Sequence, residues 1–239
     1  MEESRLKSMA VDVEGMASAE DCFLLYSLVK NVPVEGPVLE IGSFKGRVTV
    51  CFAKALQEKG AGKVYSIDAD LLKSKEAFLK NIERCGVKER VVPIFAHSAK
   101  AWKGWRSLVA CIWFDTDADR LVRACDFILW EPYLMVGGVL AFACAQDAQV
   151  RRFVQEYVVA PGRFDKVTFA GPVVYAYKTK VTPPYSRRKI GFTRLVHSFN
   201  YGAKKVFYRW VWTWCPEFGS AGFALKRTVR HLLEKFLRV

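Results

Sequence analysis

From Val38 to about residue 159 the chain alternates short apolar strands with amphipathic helices, and this alternation restricts the fold more than any other feature. VLEIG (38–42) leads through a turn into a helical pattern that runs to about Gly60, and KVYSID (63–68) into a charged helix from Leu71 to Cys85. RVVPIFA (90–96) is followed by a short helix near 98–107, LVACIWFD (108–115) by a helix from roughly 118 to 134, and VLAFAC (139–144) by a helix over 147–159. Parallel neighbouring strands need a crossover long enough to be a helix, so the pattern predicts an α/β doubly wound, mostly parallel sheet. A leading helix over 18–31, capped by Ser18 ahead of Glu20 and Asp21, comes before the first strand. After Pro161-Gly162 the order changes: FDKVTFA (164–170) and VVYAYK (173–178) are separated only by Gly171-Pro172, which predicts an antiparallel hairpin at one side of the sheet.

The formal net charge of +13 is unevenly placed. Residues 179–239 hold 13 Lys and Arg against 2 Asp and Glu, so the first 178 residues are close to neutral. Two parts follow: a domain over 1–178 and a basic segment over 179–239. Seven cysteines, with no CxxC and no Cys/His pairing, argue against a disulfide framework or structural zinc and for a reducing, cytoplasmic setting. The first residues, MEESRLKSMAVDVEG, carry no apolar run of a secretory signal, and no stretch is apolar enough for a membrane span.

In a doubly wound sheet, ligands sit beyond the carboxyl ends of the strands where the strand order reverses. The first strand ends Glu40-Ile41-Gly42-Ser43-Phe44-Lys45-Gly46. Gly42 and Gly46 let the backbone turn tightly and approach a ligand, and the next helix offers free N–H groups at its start. The second strand ends in Asp68, the acidic position that accepts hydrogen bonds from ribose hydroxyls in such folds. The spacing describes a nucleoside-containing cofactor. A nicotinamide site would need G-x-G-x-x-G, whereas this turn has only two glycines, four apart, behind a carboxylate.

Here the sequence resembles the class I S-adenosylmethionine-dependent methyltransferases, whose first motif is E/D-x-G-x-x-x-G with an acidic end to the second strand. The resemblance covers roughly residues 14–178. GMASAEDCFLLYSLVKNV with VLEIGSFKGRVT is similar to the leading helix and first motif of methyltransferase family 24, the sugar and small-molecule O-methyltransferase branch, and WEPYLMVGGVLAF (130–142) to its L-x-P-G-G segment. The resemblance implies a seven-stranded sheet of order 3-2-1-4-5-7-6 and S-adenosylmethionine as cofactor. It places Glu40, Gly42, Ser43 and Gly46 around the methionine part, Asp68 on the ribose and Ser98 near the adenine, with His97 a substitution beside it. Asp115 falls at the methyl group or acceptor, with Asp117 as a second catalytic carboxylate. A sulfonium methyl is already electrophilic, so the protein has only to align an acceptor and remove its proton.

The chain departs from the family pattern in several places. Phe114-Asp115-Thr116-Asp117-Ala118 stands where I-D-G-D-H is usual, and Ala143-Cys144 where metal-dependent relatives place acidic residues. Asp115, Asp117 and Asp119 alone are a poor ligand set for a hard cation, so no catalytic metal is expected. Val136 replaces the usual proline and Val48 the usual serine. Trp102 and Trp105 read as packing residues.

Within 187–214, Leu195, Phe199, Val206, Trp210 and Trp214 fall at helical spacing among Arg194, Lys204, Lys205 and Arg209. FALKRTVRHLLEKFLRV (223–239) repeats the arrangement. Helices with apolar and cationic faces suit an anionic membrane surface, which makes residues 187–239 a peripheral membrane contact. Packing on the core or self-association into a homo-oligomer is one alternative, and nucleic acid another. The resulting expectation is an S-adenosylmethionine-dependent O-methyltransferase acting on a sugar, a lipid-linked saccharide or another small molecule at the membrane surface. The alternatives are a non-catalytic cofactor-binding scaffold of the same fold and an RNA methyltransferase.

Overall fold

The computed structural model describes residues 1–69, 71–116 and 120–183, together with Tyr185, Ile190 and Thr193. The two basic helical segments expected over 187–239 fall outside the described residues, apart from those isolated positions.

Helix α1 (Glu3–Val11) opens the chain, followed by α2 (Ala19–Asn31). The Ser18 cap is present as a full capping box: the Asp21 N–H donates to Ser18 Oγ at 3.1 Å, and the Ser18 N–H donates to Asp21 Oδ2 at 3.1 Å. Then follow β1 (Val38–Ile41), α3 (Arg47–Lys59), β2 (Val64–Ile67), α4 (Leu71–Arg84), β3 (Val91–Ile94) and α5 (Ser98–Trp102). The second half holds β4 (Val109–Phe114), α6 (Arg120–Trp130), β5 (Leu134–Phe142), α7 (Ala148–Val154), β6 (Phe164–Ala170) and β7 (Val173–Lys178). A single π-helical turn, Gln155–Val159, extends α7.

The seven strands form one sheet of order β3-β2-β1-β4-β5-β7-β6. The first five run parallel, and β7 pairs antiparallel with both β5 and β6. β1 and β4 are buried at every position, as expected of central strands covered by helices on both faces. The unit so formed spans Met1–Pro183.

Several differences from the sequence expectation have local causes. Helix α1 escapes a reading by period because only Leu6 and Ala10 of its nine residues reach the core. Helix α6 ends at Trp130 rather than near 134, since Pro132 enters a 3-10 turn (Glu131–Tyr133) that leads straight into β5. Strand β5 therefore begins at Leu134, five residues ahead of the expected start at Val139, and its pairing with β4 is irregular between Val109 and Cys111. Helix α5 is also shorter than the segment 98–107 that the sequence suggests.

The order of the strands reverses between β1 and β4. Ile41 is in register with Ile67 on one side and Phe114 on the other, so Gly42, Asp68 and Asp115 each take the first position beyond a strand and stand in one row. Backbone bonds hold the row: the Gly42 N–H donates to Ile67 O at 2.8 Å and the Asp115 N–H to Ile41 O at 2.8 Å.

Candidate functional site

The row at the switch point is set by how closely the strand ends approach. Gly42 has φ +92°, and a Cβ there would lie 2.1 Å from the carbonyl oxygen of Asp115. Glycine is thus the residue that lets the first turn pass over the end of β4. Gly46, at φ +89°, starts α3, where a Cβ would meet the Phe78 ring at 3.0 Å. Between them Phe44 holds a left-handed φ of +46°, uncommon for a residue with a side chain.

That turn is tied to β2 through Asp68. Its Oδ2 accepts from the backbone N–H of Ser43 at 2.9 Å and of Phe44 at 2.8 Å. A second brace comes from the segment between α1 and α2: Arg47 donates from Nε to Val13 O at 2.5 Å and from Nη1 to Ala17 O at 2.6 Å, and Lys45 pairs with Glu14 at 2.6 Å. Sequence pattern does not single out Arg47, whose side chain fastens the leading segment over the first motif.

Glu40 lies beneath the turn. It is fully buried, and its Oε2 accepts from Thr49 Oγ1 at 2.5 Å and Ser66 Oγ at 2.7 Å, while its Oε1 has no hydrogen-bond partner among the described residues. Burial pushes its carboxyl up to about 8 against the pull of those two hydroxyls, with the charges of Asp115 and Asp68 adding to the rise. Asp115 is raised to about 6, first by burial and then by Asp68, while the guanidinium of Arg123 opposes the rise.

The other sequence-derived residues are placed as follows. Ser43 gives its N–H to Asp68, and its own Oγ is buried without a partner among the described residues. Ser98 is buried, and its hydroxyl accepts from Trp130 Nε1 at 2.7 Å. His97 is exposed at the position before α5. Trp105 packs in the core, 4.8 Å from Tyr65 and 5.4 Å from Trp130 between ring centres. Asp117 and Asp119 lie outside the described residues. Among the described residues no three His, Cys, Asp or Glu side chains are grouped to hold a metal ion.

Arg123, which sequence pattern also passes over, is fully buried on α6, and its Nη2 donates to the carbonyl of Thr116, next to Asp115, at 3.1 Å. The signal that could reveal it is an arginine inside the apolar run LVRACDFILW.

The chemistry of this donor set suits a particular kind of ligand. Asp68 and Asp115 are close enough for their negative charges to oppose one another, and both favour the protonated form of Glu40. A cationic nucleoside relieves that repulsion while offering ribose hydroxyls to Asp68. S-adenosylmethionine, with its sulfonium and ammonium groups on an adenosine, is such a molecule.

Comparison with known proteins agrees. The family 24 model, described as a methyltransferase domain, matches residues 39–143. No curated protein matches the chain by sequence. Among solved structures, a putative O-methyltransferase from Klebsiella pneumoniae superposes with a TM-score of 0.59 at 18% identity, over 74% of this chain and 90% of that one. An O-methyltransferase from Bacillus cereus in complex with SAH gives 0.58 at 18%, over 74% and 92%. The O-methyltransferase TomG from Streptomyces achromogenes, in complex with SAM, gives 0.56 at 17%, over 75% and 100%. The structural likenesses establish the fold. Residues 39–143 are similar to the methyltransferase domain of family 24, and they lie on the seven-stranded sheet of order β3-β2-β1-β4-β5-β7-β6.

Proposed function

We propose that this protein transfers the methyl group of S-adenosylmethionine to an oxygen of a small-molecule acceptor, a sugar or lipid-linked saccharide, at the cytoplasmic face of a membrane. Residues 1–178 form the methyltransferase domain in this reading, and the cationic segment within 179–239 holds the anionic surface. The observation that carries it is the row Gly42, Asp68 and Asp115 at the carboxyl ends of β1, β2 and β4. Asp68 takes the ribose, and the first turn from Gly42 through Gly46 takes the methionine part. Ser98 keeps its position near the adenine through the wall it builds with Trp130.

When bound, the cofactor supplies an electrophilic methyl group. The protein's share is to hold the acceptor in line and to take its proton. Asp115 is suited to taking that proton. No hydrogen bond engages its carboxylate among the described residues, and its proton affinity, raised to about 6, leaves it ionised near neutral pH. Asp117 is the second carboxylate of this proposal. The basic segment supports the membrane part by composition. Among the described residues no helix is long and apolar enough to cross a membrane.

Purified protein incubated with radiolabelled S-adenosylmethionine and a membrane-lipid extract tests the reading. Label appearing in an alkali-stable ether of an extracted glycolipid or saccharide supports it, and label confined to protein or RNA overturns the acceptor class. Cosedimentation of the full chain with phosphatidylserine vesicles, lost on neutral phosphatidylcholine vesicles, is expected for the membrane part. Equal recovery with both, or with neither, overturns that part.

A further inference from the structure

We propose that Arg123 is the positioning residue for Asp115, its buried guanidinium fixing the backbone after β4 and supplying the positive charge against which the Asp115 carboxylate works. This rests on the reading of Asp115 as the group that takes the acceptor's proton.

An arginine inside a buried helix face is costly, and a purely structural one is normally sealed by hydrogen bonds to all its nitrogens. Among the described residues Arg123 is not sealed in that way. It is fully buried between α6 and the ends of β4 and β5, with its guanidinium carbon 5.8 Å from the centre of the Phe142 ring. One nitrogen, Nη2, donates to Thr116 O at 3.1 Å, and Nε and Nη1 have no hydrogen-bond partner among the described residues. The hydrogen bond it makes among the described residues therefore goes to the residue that follows Asp115. That anchor sets the direction in which the chain leaves β4, and hence where the Asp115 side chain starts.

The charges around the pair come from every packed element. Arg123 faces Asp115 at the end of β4, Asp126 on its own helix, and Cys144 and Asp147 in the turn between β5 and α7. Asp147 is also committed to capping α7 through the Gln149 N–H at 2.6 Å. Asp115 faces Arg123 on one side and Asp68 on the other, with Glu40 beneath the same row. Burial and Asp68 both drive Asp115 toward its neutral form, and Arg123 is the group that opposes them. Without that cation, a buried aspartate beside a second carboxylate would hold its proton near neutral pH and could not accept one from a hydroxyl.

The test follows the carboxylate itself and needs no acceptor. In full-length protein labelled with 13C at aspartate Cγ, and with the Asp115 signal assigned through Asp115→Asn, the resonance is titrated in wild type, Arg123→Gln, Arg123→Met and Arg123→Lys. The wild-type midpoint is expected near 6. The two neutral variants should move it to higher pH by about one unit or more, and lysine should return it toward the wild-type position. A midpoint unchanged in a folded neutral variant overturns the proposal, because a residue that only fills space would leave it there. Methionine matches the volume of the arginine stem and is the variant least prone to unfold. Wild type alone supplies a second readout: the 15Nε resonance of Arg123 should shift with the midpoint of Asp115, and a resonance that stays fixed through that titration also overturns it. Neither experiment contains S-adenosylmethionine, so failure of the cofactor to bind would retire the methyltransferase reading without touching this result.

Discussion

The two edges of the sheet treat buried charge in opposite ways. At the amino end of β5, Lys178 donates to the Glu131 carbonyl at 2.9 Å and pairs with its carboxylate at 3.1 Å, while Thr182 also donates to that carboxylate. Arg163 lies 3.9 Å away on the same oxygen. At the carboxyl edge, among the described residues, Glu40 keeps one oxygen unbonded, the Asp115 carboxylate receives no hydrogen bond, and Arg123 leaves two nitrogens without partners. Charges closed in by counterions hold a fold together, and charges left open are available to a ligand or a proton. The first cluster joins β6, β7 and the turn before β5, and the second lines the switch point of the sheet.

Breaking each edge should therefore read out differently. Glu131→Ala leaves the buried Lys178 without the carboxylate it pairs with, and denaturant unfolding should show a loss of about 3–5 kcal/mol, with cofactor affinity unchanged in the folded fraction. Gly42→Ala pushes a methyl group into the Asp115 carbonyl, and urea titration should give a loss of about 3 kcal/mol together with loss of cofactor binding.

Glu40→Gln has the opposite sign and depends on pH. The folded state holds the Glu40 proton up to about 8, whereas the unfolded chain releases it near 4.5, so the wild-type protein loses stability as pH rises across that window. Glutamine does not titrate, and its carbonyl can still accept from Thr49 and Ser66. Cofactor-free Glu40→Gln should match wild type near pH 4 and exceed it by on the order of a few kcal/mol at pH 9 in thermal unfolding. Equal stability at both pH values would mean that the carboxyl edge is as well compensated as the amino edge. The smallest effect is Phe44→Gly, which relieves a left-handed backbone and should raise stability by about 1 kcal/mol or less in the same assay.

Much of the carboxyl edge is legible in the sequence because it depends on short-range patterns. Gly42 and Gly46 are fixed by a tight turn after an apolar strand, and Asp68 by the end of the next one. The hairpin 164–178 is announced by Gly171-Pro172. What escapes depends on contacts between distant segments. Thr49 and Ser66 meet Glu40 from two different elements. Arg47 reaches back 34 residues to Val13, and Arg123 acquires its meaning only when α6 is laid beside the end of β4. The start of β5 is hidden because the helical pattern reads through to about 134, past the turn at Pro132, and the two glycines at 137 and 138 interrupt the apolar run before Val139. The proposed membrane contact of residues 187–239 is read from composition and spacing.

Calorimetric titration of S-adenosylmethionine into the purified full-length protein, beside Asp68→Ala, tests the central claim most directly. The account expects saturable binding at one site per chain in the micromolar range, weakened at least about tenfold in the variant by loss of a charged hydrogen-bond acceptor. No binding to folded wild-type protein, or binding that Asp68→Ala leaves unchanged, would contradict it.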